Sequence, residues 1–78
     1  MPLYHFDTVE DGEMSPDDEG LEFTSLKVAC DEAVRALGEM ARDRLRCRDR
    51  QEIAISIRDG GLMPLFTASL VLRIEPKG

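Results

Sequence analysis

Two kinds of hydrophobic spacing divide the chain. Leu26, Ala29, Cys30, Ala33, Leu37, Met40, Ala41 and Leu45 recur at three- and four-residue intervals, the stripe of an amphipathic helix. On either side of that stripe, apolar residues alternate with polar ones, as on a half-buried strand. Ile53, Ile55 and Ile57 alternate within residues 51–58, and Phe66, Ala68, Leu70, Leu72 and Ile74 within residues 65–74. Ahead of the helix, residues 3–8 read as a strand with Tyr4 and Phe6 on one side and Leu3, His5 and Asp7 on the other. Residues 20–23 read as a short second strand that pairs back on the first.

The punctuation agrees with this order. Glu10-Asp11-Gly12 is a turn signal, residues 14–18 form a loop broken by Pro16, and Ser25 is an N-cap whose hydroxyl can accept from the first free amides. Asp31 and Glu32 near the helix start and the arginines at its end suit the helix dipole. Gly38 costs about 1 kcal/mol relative to alanine in a helix interior, so a close packing contact is expected there. Asp59-Gly60-Gly61 signals a hairpin, and Pro64 marks a bulge or an edge. The expected architecture is α+β, a ββαββ single domain over residues 1–78, with an acidic loop at about 10–20 and the helix at about 25–45. The helix covers one face of a small antiparallel sheet, with the isoleucines, Phe66, Leu70 and Leu72 beneath it. Leu3, His5, Ala54, Ser56, Leu65, Thr67, Ser69, Val71 and Arg73 fall on the other face.

Size sharpens the picture. Seventy-eight residues hold one core and bury a modest share of the unfolded surface, so extra stabilisation is expected from a disulfide, a metal or a partner. The two cysteines do not suit a bridge: Cys30 lies on the buried side of the helix and Cys47 beyond its end. With neither a basic start nor an apolar run at the N-terminus, the expected compartment is cytoplasmic and the thiols reduced. A single histidine and the lack of CxxC or HxxxH spacing give no reason to expect a metal or any cofactor. Self-association is the remaining source of buried surface. The uncharged stretch that includes residues 60–71 is too short and polar to span a bilayer, so no membrane is expected.

Charge is unevenly spread within the net −6: residues 1–22 carry eight acids and no lysine or arginine. Residues 42–50 carry five arginines at alternate positions against two aspartates. The overall acidity argues against a general nucleic-acid binder but leaves room for a local basic patch.

With these elements placed, the chain resembles a family of short alphaproteobacterial proteins grouped as a domain of unknown function. The likeness is carried by Met1-Pro2 with Tyr4 and Phe6, Asp11-Gly12, and Asp18-Glu19-Gly20. It continues through Ser25-Leu26, Ala29, Glu32-Ala33 and Arg35, then Ile55-Ser56-Ile57-Arg58-Asp59, Gly61 and the apolar last strand. The resemblance implies the same strand-strand-helix-strand-strand fold and carries no catalytic residues across. Asp18–Gly20 and Glu32-Ala33 are also similar to the antitoxin of a bacterial mRNA-interferase pair, in which an acidic strand-turn-strand precedes a Glu-Ala helix.

Three functions follow from different residues. The leading expectation is a non-enzymatic module that forms a homodimer, and takes a protein partner, through the open sheet face or an edge strand. Leu3, His5, Leu65 and Val71 are its candidate interface residues. The second is an antitoxin-like or nucleic-acid-associated regulator using Arg44, Arg46 and Arg48 on phosphates. It ranks lower because no interleaved aromatics stack bases. The third is a tautomerase-like enzyme with the Pro2 amine as general base. The acids that follow Pro2 would raise that amine's pKa, the wrong direction for such a base. The acidic loop lacks the alternating ligand pattern of a calcium loop and reads as solvated, or as a surface that meets the arginine run. Cys47, between Arg46 and Arg48, has the setting of a redox-reactive thiol but no resolving cysteine.

Overall fold

The computed structural model describes residues 1–61 and 63–77. Strands β1 (Leu3–Glu10), β2 (Glu13–Ser15) and β3 (Leu21–Glu22) precede helix α1 (Leu26–Arg44), and β4 (Arg50–Arg58) and β5 (Phe66–Arg73) follow it. The sheet is antiparallel with order β2-β1-β4-β5. β3 joins the β1 edge that carries β2, at the other end of the strand: Leu3 and Tyr4 pair with Glu22 and Leu21, while Thr8–Glu10 pair with Ser15–Glu13. The expected α+β arrangement holds, one helix against an open sheet, with five strands instead of four.

The extra strand corrects the acidic loop expected at about 10–20. β1 runs on to Glu10, Asp11 and Gly12 both take positive φ (49° and 89°) as a two-residue hairpin demands, and β2 returns along β1. All three β2 residues are exposed, so this strand is held by its ladder and not by burial.

α1 starts where Ser25 Oγ accepts the Val28 amide at 3.2 Å. Two details differ from expectation. The first turn carries no acid, Asp31 and Glu32 lying a turn further in, whereas Arg42 and Arg44 do occupy the last turn. Among the described residues, nothing lies within 4 Å of where a Cβ on Gly38 would stand, and no packing contact there explains it.

Ala29, Ala33 and Leu37 press onto Tyr4, Ile53, Ile55 and Ile57, all nearly or fully buried. Phe23, whose amide donates to the Pro2 carbonyl at 3.1 Å, stacks on Phe6 with centroids 5.6 Å apart and closes the core beside the helix start. Cover thins toward β5. Phe66 and Leu72 are half-buried, and Leu70, on the helix-facing side, is 41% exposed. Pro64 carries both meanings expected of it. β5 is an edge strand, and the Leu65 amide donates to the Ile57 carbonyl, which the register sets opposite Phe66, a one-residue offset at the strand start. The β4–β5 connection spans residues 59–65, longer than an Asp-Gly-Gly turn alone. Among the described residues, no helix is long and apolar enough to cross a membrane.

Candidate functional site

The two edges of the sheet are built differently. On the β1 edge, the even-numbered amides point away from β4, because Asp11 bonds Glu52 and the register carries the same parity through Val9, Asp7 and His5. β2 takes Thr8 and Glu10, and β3 takes Tyr4. Phe6 lies between them, and its amide donates to Asp17 Oδ2 at 3.1 Å, so a side chain fills the missing rung. Asp17 Oδ1 also accepts from the amides of Glu19 and Gly20 at 3.1 and 3.2 Å. Gly20 sits at φ +77°, and a Cβ there would lie 3.0 Å from both the His5 ring and the Tyr4 carbonyl, so this turn requires glycine.

The same loop is tied from the sheet face. The Asp17 amide donates to Asp7 Oδ1 at 2.8 Å, and His5 Nδ1 donates to the Asp17 carbonyl at 3.0 Å. Arg58 bridges the two, Nε to Asp7 Oδ2 at 2.8 Å and Nη2 to the Asp17 carbonyl at 3.0 Å. Burial pushes the Asp7 carboxyl up, but the Arg58 hydrogen bond, the Asp17 amide and the Arg58 charge outweigh it and hold Asp7 below its ordinary value. Burial likewise opposes ionisation of Asp17. The amides of Phe6, Gly20 and Glu19 and the His5 ring prevail and lower it. The reciprocal contact with Asp7 raises Arg58. This clasp was not foreseen; the Asp-Asp-Glu-Gly sequence, with its Asx-turn potential, is the signal that could have pointed to it.

At the opposite end of β1, the arginine run meets the acidic turn of its own chain. Arg44 Nη1 lies 2.9 Å from Glu10 Oε1, and Arg48 Nη2 lies 3.5 Å from Asp11 Oδ2. Arg46 Nη1 donates to the carbonyls of Asp43 and Leu45 at 2.8 and 3.0 Å, closing the helix end. Buried Gln51 holds the loop that follows: Oε1 accepts from the Arg46 amide and from Arg48, while Nε2 donates to the Arg46 carbonyl. Arg44, Arg46 and Arg48 are thus all engaged within the chain.

The register separates the candidate interface residues. His5 faces Arg58, with Leu65 beside it just before β5, and Leu3 adjoins His5 along β1. Val71 is opposite Glu52, which bonds Asp11, six residues along β5 from Leu65 and so about 20 Å away. Between them the uncovered face is polar: Ser56 Oγ and Thr67 Oγ1 lie 2.8 Å apart, beside the Asp7–Arg58 pair. The four residues do not form one patch.

β5 provides the other edge. Because β4's even amides serve β1, its odd positions serve β5, pairing with Phe66, Ala68, Leu70 and Leu72. Thr67, Ser69, Val71 and Arg73 therefore turn their N–H and C=O groups outward, and β5 is the terminal strand of the sheet. Of the remaining candidates, Pro2 is exposed with its carbonyl bonded to Phe23, Cys47 is exposed, and Cys30 is half-buried. Among the described residues, no His, Cys, Asp and Glu side chains gather in a group that could hold a metal ion.

A small α+β domain with one helix on an open antiparallel sheet, clasped at one edge and, among the described residues, bare at the other, is the class these features define. The chain belongs to the family described as a domain of unknown function (DUF6894), whose model matches residues 3–71, from the first residue of β1 into β5. No curated protein and no solved structure matches it.

Proposed function

We propose that this protein is a non-enzymatic association module that pairs with itself through the open edge of β5. The observation that carries the reading is the row of outward N–H and C=O groups at Thr67, Ser69, Val71 and Arg73. Unpaired groups on a strand of eight residues are a template for another strand. Natural edges are usually blunted by charge, proline or cover, and β5 carries one charge, Arg73, at its last position. The uncovered sheet face is the weaker candidate, because Asp7, Arg58, Ser56 and Thr67 make its centre polar. A phosphate-binding role for Arg44, Arg46 and Arg48 has less support, since phosphates would have to displace Glu10, Asp11, Gln51 and the helix-end carbonyls.

Sedimentation across a concentration series tests the reading. The expected result is a dimer that dissociates on dilution. Ser69→Pro removes an outward donor while leaving the inward ladder intact, so the variant should stay folded by circular dichroism and sediment as a monomer. A wild-type chain that is monomeric throughout, or a Ser69→Pro chain that dimerises normally, would overturn the proposal.

A further inference from the structure

We infer that the partner of β5 is the β5 of a second copy, antiparallel about a two-fold axis that passes through Leu70. This rests on the edge-pairing reading above and adds its occupant and register. A homotypic antiparallel pair puts the outward-bonding positions of one strand opposite those of the other, so only a few registers fit. With the axis at Leu70, Ser69 and Val71 of one chain exchange backbone bonds with Val71 and Ser69 of the other, and Thr67 pairs with Arg73. On the helix side, Leu70 meets its own copy, Ala68 meets Leu72, and Phe66 meets Ile74.

The prolines select that axis over its neighbours, and exposure and charge suit the same seam. Leu70 and Ile74 are 41% and 37% exposed although Phe66 and Ala68, on the same face, pack against the core, and this register gives each an apolar partner across the seam. Pro64 and Pro76 stand equally far from Leu70 along the chain. The axis therefore sets them opposite each other just outside the paired segment, where a missing N–H costs no bond. Shifting the axis to Ser69 sets Pro64 opposite Ile74, and shifting it to Val71 sets Pro76 opposite Phe66, so either shift loses the proline match. Charge favours the same seam and a second copy as its occupant. The only charge between Pro64 and Glu75 is Arg73, whereas the eight acids of residues 1–22 belong to the clasped side of the sheet. Two chains of net charge −6 that meet at β5 keep their acidic edges on the outside.

A single-cysteine scan reads the register directly. In a Cys30→Ala, Cys47→Ser background, Leu70→Cys, Ser69→Cys and Val71→Cys are oxidised mildly at a concentration where the parent is a dimer. Opposed residues at a non-hydrogen-bonded site have Cα atoms about 4.5 Å apart, within disulfide range. The expected result is a reducible species of twice the chain mass for Leu70→Cys, with at least about tenfold less for the other two. Preferential cross-linking of Ser69→Cys or Val71→Cys would move the axis and overturn this register while leaving edge pairing in place. A dimer by mass that none of the three cross-links would place the axis away from residues 69–71 and overturn this register. A background chain that stays monomeric at every concentration would remove self-association itself.

Discussion

Asp17 makes the most contacts of any acid in the chain. Its carboxylate accepts from three amides, its amide donates to Asp7, and its carbonyl accepts from His5 and Arg58. Asp17→Ala should cost about 2 kcal/mol in urea unfolding, because the Phe6 amide loses a charged acceptor on a part-buried edge. The acid limb of stability belongs to the same cluster. Asp7 and Asp17 both have folded-state pKa values below their ordinary ones. Their contribution is therefore complete above about pH 4 and is lost as pH falls through the depressed values. Asp7→Asn should flatten the urea midpoint below about pH 4 and leave the Asp17 share in place; an unchanged acid limb would disconnect the cluster from acid unfolding.

Among the elements, α1 offers the clearest gain. Gly38 is exposed and mid-helix, with room for a Cβ among the described residues, so Gly38→Ala should raise stability by about 0.5–1 kcal/mol through the entropy of the unfolded chain. Ser25→Ala should lower it by about 1 kcal/mol, and thermal melts of both variants check the pair. The major elements were legible because burial writes a period into sequence: the isoleucines of β4 and the Ala29–Ala33–Leu37 stripe are the buried residues themselves. β2 was not legible, since Glu13, Met14 and Ser15 are all exposed and leave no apolar trace. The clasp was hidden for a related reason. An aspartate in an acidic loop looks solvated unless the backbone amide it meets, Phe6, eleven residues away, is known. Leu3 and Val71 share a face by parity, but only the register shows that they lie at opposite ends of it.

Across the whole molecule, the core is narrow. Ile53, Ile55 and Ile57 are buried, yet Leu70, Val71 and Ile74 on and after the last strand remain 37–49% exposed. Pairing at β5 would link folding to protein concentration. The thermal midpoint of the wild type should therefore rise with concentration, and that of Ser69→Pro should stay flat. Parallel behaviour of the two would remove that link. Under that pairing, the unequal edges would also set how far assembly goes. A unit with one adhesive side is used up when two of them meet, so growth terminates at the pair. Asp17, by filling the gap between β2 and β3, would then serve as a chain stopper. Unfastening it would free the Phe6 amide, the rung between β2 and β3, and give a further strand its first foothold on the far side of the pair.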